Sequence, residues 1–275
     1  MIFCGSELAA RIERAEVRLV VDACRNVAQR VADVFVQPVC GGVAAFTEPG
    51  SPLNKVAGLG FAEFDASAFE RIEEVHAARR AALQVELATL ADPTIARWLT
   101  GRGYELVGVE NVLGRSLATE ARSPASPVIR VSLSSADELE RWLDTVVTGF
   151  ATPDPQGAPA HEEFERSVLE RVIRDFSAAD GVVRYLAELD GRAAGGAALR
   201  MGEGVAQLCG AATLPGLRRR GVQGALLARR LADAARQGCD IAVVTTQPGS
   251  VSQHNVQRQG FELLYSRNVL RREPR

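Results

Sequence analysis

Three consecutive arginines precede a glycine-containing segment in the last third of the chain, where residues 218–225 are RRRGVQGA. Apolar residues at helical spacing follow and predict a helix over about 219–237, ended by Gly238. A helix start presents backbone N–H groups without intrahelical partners and the positive end of the helix dipole. Glycines let a ligand approach that backbone closely. The segment therefore predicts a phosphate-binding site, because arginines at a helix start are costly without an anion.

The spacing of these residues excludes two common phosphate-binding motifs. The sequence has no GxxxxGK[ST] segment, which a P-loop requires. It also has no GxGxxG after a predicted strand with an acidic residue about 20 positions further on, the pattern of dinucleotide-binding folds. A basic helix start on a solvated surface is the alternative interpretation.

The segment 209–227, CGAATLPGLRRRGVQGALL, resembles the acetyl-CoA motif Q/R-x-x-G-x-G/A of the GCN5-related N-acetyltransferase (GNAT) family. Arg218 and Gly221 match the motif, whereas Gln223 stands at its last small position and Gly224 follows one residue later. The predicted strand 241–246 and the QGF at 259–261 also resemble the family. The resemblance covers about residues 128–275. It implies an α/β fold with a mixed, mostly antiparallel sheet flanked by helices, and acetyl transfer from acetyl-CoA, as co-substrate, directly to a primary amine.

By this resemblance, the backbone of 212–214 pairs with the pantetheine amides, and the side chains of Arg218 and Arg220 reach phosphates. The short helix at 250–259 faces the path of the thiol arm. The residues that the resemblance implies for cofactor binding are Ala212, Thr213, Leu214, Arg218, Arg219, Arg220, Gly221, Val222, Gln223, Gly224, Ala225, Ser252 and Asn255.

Acyl transfer from a thioester to an amine needs a base, donors for the oxyanion and an acid for the leaving thiolate. Many family members carry a tyrosine acid on the short helix, but Val256 stands there in this sequence. Three candidates remain: Tyr265 on the final strand, His254 and Ser252. Their structural alternatives are a half-buried strand tyrosine, a surface histidine and a pantetheine ligand. The missing tyrosine also keeps open a non-catalytic CoA-binding or regulatory protein.

The elements that must position these residues alternate between strands and helices. The first half is predicted to contain helices at 7–30, 68–82 and 93–102, the last opened by Asp92, and strands at 34–39, 42–46, 56–61, 83–87 and 104–113. The second half is predicted to contain helices at 136–150, 162–176, 219–237 and 250–259, and strands at 128–133, 182–189, 192–201, 205–214, 241–246 and 261–270.

The two halves share a repeat. Residues 103–113, GYELVGVENVL, align without gaps with 260–270, GFELLYSRNVL, at an offset of 260 − 103 = 157. The same offset aligns 83–87 with 240–244 and 93–102 with 250–259. We therefore predict a degenerate GNAT-like domain at 1–122, a linker SPASP at 123–127 and a catalytic domain at 128–275. Chance similarity between amphipathic segments is the alternative. Residues 62–67, AEFDAS, replace the arginine segment in the first copy, and their acidic groups would repel phosphate.

The composition narrows the class of partner. The net charge is −2, which gives no indication of nucleic-acid binding. No apolar run reaches the roughly 18 residues of a membrane helix, and no signal peptide is recognised, so a cytoplasmic protein is expected. The five cysteines form no CxxC pair, so no metal is expected. We expect a small-molecule or peptide amine as acceptor, drawn by Asp180, Glu162 and Glu163 unless these are only solvated charges, and a monomer or homodimer.

Overall fold

A computed structural model describes residues 2–118, 128–152 and 164–274. The predicted linker at 123–127, and Glu162 and Glu163 at the start of the predicted helix 162–176, lie outside these ranges. Within them, helices flank a mixed sheet, which confirms the predicted fold class. No helix in the described part of the chain is long and apolar enough to cross a lipid bilayer.

The first half follows the predicted order of elements. Asp92 caps the start of the third helix as predicted, its side chain accepting the N–H of Thr94 at 2.8 Å. The elements are α1 (Ser6–Val27), β1 (Phe35–Val39), β2 (Gly42–Phe46), β3 (Lys55–Leu59), α2 (Ala66–Ala78), β4 (Leu83–Ala88), α3 (Pro93–Gly101) and β5 (Glu105–Ser116).

The second half also has the predicted elements. They are β6 (Ile129–Leu133), α4 (Leu139–Ala151), α5 (Arg166–Ser177), β7 (Val182–Leu189), β8 (Arg192–Gly202), β9 (Val205–Thr213), α6 (Val222–Arg236), β10 (Ile241–Thr246), α7 (Val251–Gln257) and β11 (Glu262–Arg272). Helix α6 begins three residues later than predicted. Arg219 and Gly221 both have left-handed backbones, with φ of +62° and +86°, and a right-handed helix cannot include them.

All eleven strands form one sheet in the order β1-β2-β3-β4-β11-β5-β10-β9-β8-β7-β6. Alternate strand residues face opposite layers of helices. On β7, Tyr185 and Ala187 pack with α6, whereas Leu186 packs with α4. Helices α1, α4 and α5 therefore cover one face, and α2, α3, α6 and α7 cover the other.

The final strands of the two halves are exchanged. Strand β11 lies between β4 and β5, and β5 lies between β10 and β11. Both halves also share a pairing pattern. In the first half, β1–β2 and β2–β3 are antiparallel and β3–β4 is parallel. In the second half, β7–β8 and β8–β9 are antiparallel and β9–β10 is parallel. Repeat-equivalent residues Glu110 and Arg267, 267 − 110 = 157 positions apart, lie directly opposite each other. The predicted boundary near residue 123 therefore does not separate two sheets, because each half supplies the strand that covers the other's edge.

Candidate functional site

Strands β9 and β10 diverge after a short parallel contact. They pair only over Val205–Gln207 and Ile241–Val243. On its other edge, β9 carries a bulge, where Gly210 and Ala211 oppose the single residue Ala197 of β8. A bulge bends the strand that carries it and increases the local twist. The backbone of β9 from Leu208 onward consequently has no strand partner on the side of β10 and faces an opening.

An outer cleft of about 970 Å³ occupies the mouth of this opening. It lies between the start of α6, the end of α4 and the short helix α7. Most of the residues predicted to bind a cofactor line it, namely Ala212, Thr213, Arg218, Arg219, Gly221, Val222, Gln223, Gly224, Ser252 and Asn255. The hydroxyl oxygen of Thr213 is buried there without a hydrogen-bond partner in the described structure. Leu214, Arg220 and Ala225 do not line the cleft.

The start of α6 is open towards the outer cleft. No side chain caps it, and its first intrahelical bond runs from Ala225 N–H to the Gly221 carbonyl. The N–H groups of Val222, Gln223 and Gly224 therefore have no acceptor within the helix. The equivalent start of α2 differs, because the Asp65 carboxylate accepts the N–H of Ala68 at 3.0 Å. In the first half, the Asp65 carboxylate therefore occupies the helix start. In the second half, the equivalent helix start is open to an anion.

The three arginines have different environments. Arg219 is exposed and lines the cleft. Arg218 also lines it, but its guanidinium donates to the carbonyls of Gly149 and Thr152 at the end of α4. The helix end offers these carbonyl acceptors next to Arg218, and the expectation that Arg218 reaches a phosphate stays a prediction. Arg220 is exposed to solvent and does not line the cleft.

The structure brings together only some of the predicted catalytic residues. Ser252 lies on α7 where the outer cleft meets a second, inner cavity, and it lines both. His254 and Asn255 line the outer cleft alone. Tyr265 lines neither and is 4% exposed, with its hydroxyl donating to Glu13 at 2.6 Å. Burial and the Glu13 carboxylate raise the pKa of Tyr265, so its hydroxyl stays protonated in the core beneath α1.

The inner cavity has a volume of about 370 Å³ and passes through the sheet where β9 and β10 diverge. Residues from both helical layers line it, Ile12 and Leu19 of α1 on one side and Leu227 and Arg230 of α6 on the other. It shares Phe150, Ala211, Gln223, Leu227 and Ser252 with the outer cleft, so the two spaces adjoin. The first half of the chain supplies part of its wall.

A buried charged cluster forms the end of the inner cavity that faces α1. The Lys55 ammonium lies 2.9 Å from Glu86, and the Arg267 guanidinium lies 2.8 Å from Glu13. Glu110 approaches Arg267 only to 3.8 Å and receives no hydrogen bond from a described residue. Burial and the neighbouring Glu86 carboxylate raise the pKa of Glu110 to about 7. This carboxyl group is therefore able to exchange a proton near neutral pH.

At the opposite end of the inner cavity, Arg230 is 2% exposed. It donates to the carbonyl of Ala198, beside the β9 bulge, at 3.0 Å and to Leu226 at 3.2 Å. No carboxylate pairs with it in the described ranges, and burial lowers its pKa to about 10. A cation thus lies beneath β9, on the side where α6 packs.

Sequence reasoning missed Glu110, Lys55, Glu16 and Arg230. Arg230 had a visible signal, because it interrupts the apolar stripe of α6 that includes Leu226 and Leu227. Glu110 had a weaker signal, because its repeat equivalent is an arginine. Neither sequence feature indicated that residues of the first half line the inner cavity, because this arrangement depends on the exchanged strands.

Comparison with known proteins agrees with this geometry. The model of the Acetyltransferase (GNAT) family matches residues 144–261. No curated protein is significantly similar in sequence. A GCN5-related N-acetyltransferase from Kribbella flavida is 20% identical, with a TM-score of 0.71 over 98% of this chain and 96% of that one. A tandem GNAT protein from the clavulanic acid biosynthesis pathway is 13% identical, with a TM-score of 0.64 over 92% and 88%.

These two structures show the same fold, and the first matches nearly the whole chain, including the half that the family model does not cover. The matched segment runs from α4 to the start of β11 and contains the open start of α6. Residues 144–261 therefore form a domain of the acetyltransferase (GNAT) family, and the chain is an acyltransferase.

Proposed function

We propose that the protein is an N-acetyltransferase that transfers an acetyl group from acetyl-CoA directly to a primary amine. The observation that carries this proposal is the uncapped start of α6, which faces a cleft leading into the gap between β9 and β10. A helix start of this kind binds phosphate, and the unpaired edge of an extended strand binds an extended ligand. Pyrophosphate and pantetheine are joined in that order in coenzyme A.

The chain's residues fit such a donor in three places. The N–H groups of Val222, Gln223 and Gly224 would hold the pyrophosphate, with Arg219 adding charge from the rim. The free edge of β9 beyond Leu208 would pair with the pantetheine amides. The orphaned hydroxyl of Thr213 would gain a partner there. The thioester would then lie at the junction of the two cavities, beside Ser252 and below the β9 bulge.

Direct attack is favoured over an acylated protein intermediate. Cys209 is the thiol that lines the inner cavity, and burial raises its pKa to about 11. A thiol with this pKa is almost entirely protonated near pH 7 and is a poor nucleophile. The amine must therefore reach the thioester carbonyl itself, through the inner cavity. The Ser252 hydroxyl is placed to relay a proton to the leaving thiolate.

Acetyl transfer can be tested by thiol release. With acetyl-CoA and a panel of primary amines, the full chain is expected to release CoA at a rate that depends on the amine. Mass spectrometry should show one acetyl group on the product for each thiol released. CoA binding without release for any amine would contradict the proposal.

A non-catalytic CoA-binding protein is the second candidate, and one observation favours it. Val256 stands where a tyrosine acid is expected, and it is buried among apolar residues. The thiol-release experiment separates the two candidates, because this alternative predicts tight CoA binding and no amine-dependent release.

We also propose that the donor site belongs to residues 128–275 alone, so each chain should bind one CoA molecule. The equivalent helix start in the first half is capped by Asp65, whose carboxylate would repel phosphate. Isothermal titration of CoA into the full chain is expected to give a stoichiometry of one. A stoichiometry of two would show that the capped start of α2 also accepts the ligand.

A further inference from the structure

We propose that the inner cavity is the acceptor site, that it takes a cationic amine with an apolar body and no carboxylate, and that Glu110 of the first half receives the amine's proton. This inference rests on the proposed function. It assigns the acceptor class and the proton acceptor, and it gives the first half a direct part in the reaction.

Glu110 lies close to the place where the thioester is expected. It lies on β5, which the strand exchange places beside β10. Its neighbour Asn111 pairs with Thr246, the last residue of β10, and Glu110 lines the inner cavity together with Val244 and Thr245. The carboxyl group is therefore close to the end of β10, where β9 and β10 have already separated to admit the thioester.

The buried charges around Glu110 do not balance. Four carboxyl groups, those of Glu13, Glu16, Glu86 and Glu110, surround two cations, Lys55 and Arg267, at separations of 2.8–4.0 Å.

Arg200 donates to Gln207, which donates to Glu16, and its pairing with Asp22 at 3.4 Å is shared with Arg25. Even with Arg200 counted as a third cation, the four carboxyl groups of the cluster remain in excess. Buried charges are stable when they are paired, and the cluster has an excess of negative charge. An ammonium group beside Glu110 and Glu16, the two carboxylates that line the cavity, would supply the missing positive charge.

The remaining walls define the rest of the acceptor. Ile12, Leu19, Phe150 and Phe176 give the cavity an apolar surface. A carboxylate on the acceptor would add to the negative excess at the α1 end. Arg230 does not offset this, because it lies on the α6 side beside Cys209 of β9, where the donor enters. The site thus selects a monoamine with an aliphatic or aromatic body over the corresponding amino acid.

The proton balance follows from this placement. The acceptor enters as an ammonium ion with three N–H protons. Glu110 takes one, and the neutral nitrogen attacks the thioester carbonyl carbon to form the C–N bond. As the C–S bond breaks, a second proton passes to the leaving thiolate, and the third remains on the amide. Glu110 then returns its proton to solvent. A carboxyl group with a pKa near 7 suits this role, because it accepts and releases a proton at neutral pH.

The test uses the full chain loaded with CoA and two probes, phenethylamine and phenylalanine. Isothermal titration is expected to show phenethylamine binding roughly 10-fold or more tighter than phenylalanine, and Glu110→Gln should remove most of that binding. Glu105→Gln is the matched control, because Glu105 is exposed on the same strand. Gln has the shape of Glu, and its loss of charge relieves the negative excess, so the variant should melt no lower than the parent chain.

Turnover gives the second readout. The kcat/KM for phenethylamine should rise with pH through about 7, because the carboxylate form of Glu110 is the active one. Glu110→Gln should lower kcat/KM roughly 100-fold and remove that rise. CoA affinity should not change.

Two results would overturn the inference: phenethylamine binding that is unchanged in Glu110→Gln, or binding of phenylalanine at least as tight as that of phenethylamine. If CoA binds but no amine is acetylated, the proposed function fails. The binding measurement needs no turnover, so it still decides in that case whether the inner cavity binds a cationic amine through Glu110.

Discussion

Gly221→Glu is expected to abolish CoA binding while the chain remains folded. Gly221 has φ of +86°, and a side chain in that region costs about 1–3 kcal/mol. A Cβ would meet only the end of Ile129, at 3.6 Å, so steric clash adds little. The new carboxylate would stand where the pyrophosphate is expected, and like charges in contact cost several kcal/mol. We expect CoA affinity to fall by at least about 100-fold, which corresponds to about 2.7 kcal/mol.

Gly238→Glu is the matched control. Gly238 follows the other end of the same helix and has φ of +78°, and a Cβ added there would have no neighbour within 4 Å. It therefore carries a similar backbone cost and the same added charge, far from the outer cleft. Isothermal titration should show unchanged CoA affinity for this variant, and thermal unfolding should show a cooperative transition for both variants. Equal CoA affinity in the two variants would remove the start of α6 from the donor site.

Arg267→Met is expected to cause the largest loss of stability. Arg267 is 2% exposed and lies within 4.0 Å of Glu13, Glu86 and Glu110, on the strand that the second half inserts into the first. Removing one member of a buried ion pair leaves an uncompensated charge and costs about 3–5 kcal/mol. Urea unfolding should show a decrease of this size in the free energy of unfolding.

Two further variants make this result specific. Arg271→Met, four residues along β11, removes an exposed arginine whose partner Glu273 is also exposed, and it should cost less than about 1 kcal/mol. The double variant Glu13→Gln with Arg267→Met should be more stable than Arg267→Met alone, because the introduced glutamine is uncharged and still offers an acceptor to Tyr265. A loss below about 1 kcal/mol for Arg267→Met would show that water reaches the cluster and screens it.

Local elements of the fold were predictable because each has a short-range cause. Strands β2 and β10 have the predicted bounds, since short apolar runs between turns are typical of strands. The bounds of α6 were less accurate, because the left-handed turn at Arg219 and Gly221 delays its start. Strand pairing was not predictable. The sequence alignment of β5 with β11 shows that the two strands are equivalent. Whether each strand pairs with its own half or with the other half of the chain depends on long-range contacts.

The candidate site also has a part that depends on neighbouring residues and a part that depends on long-range contacts. The donor loop was predictable because a helix start, glycines and arginines are neighbours along the chain. The acceptor side was not, because Glu16, Lys55 and Glu110 come from three elements of the first half, and Glu110 reaches the cavity only through the exchanged strand β5. Tyr265 was proposed from its position on the last strand. Its burial beneath α1 depends on Glu13, which lies 252 residues away in sequence.

A crystal structure of the full chain with CoA would show where the donor binds and which residues surround its sulfur atom. We expect one molecule, with its pyrophosphate on the N–H groups of Val222, Gln223 and Gly224 and its pantetheine along the free edge of β9. The sulfur should lie at the junction of the outer cleft and the inner cavity, beside Ser252 and open towards Glu110. Pyrophosphate bound away from the start of α6, or a sulfur atom separated from the inner cavity, would contradict the account.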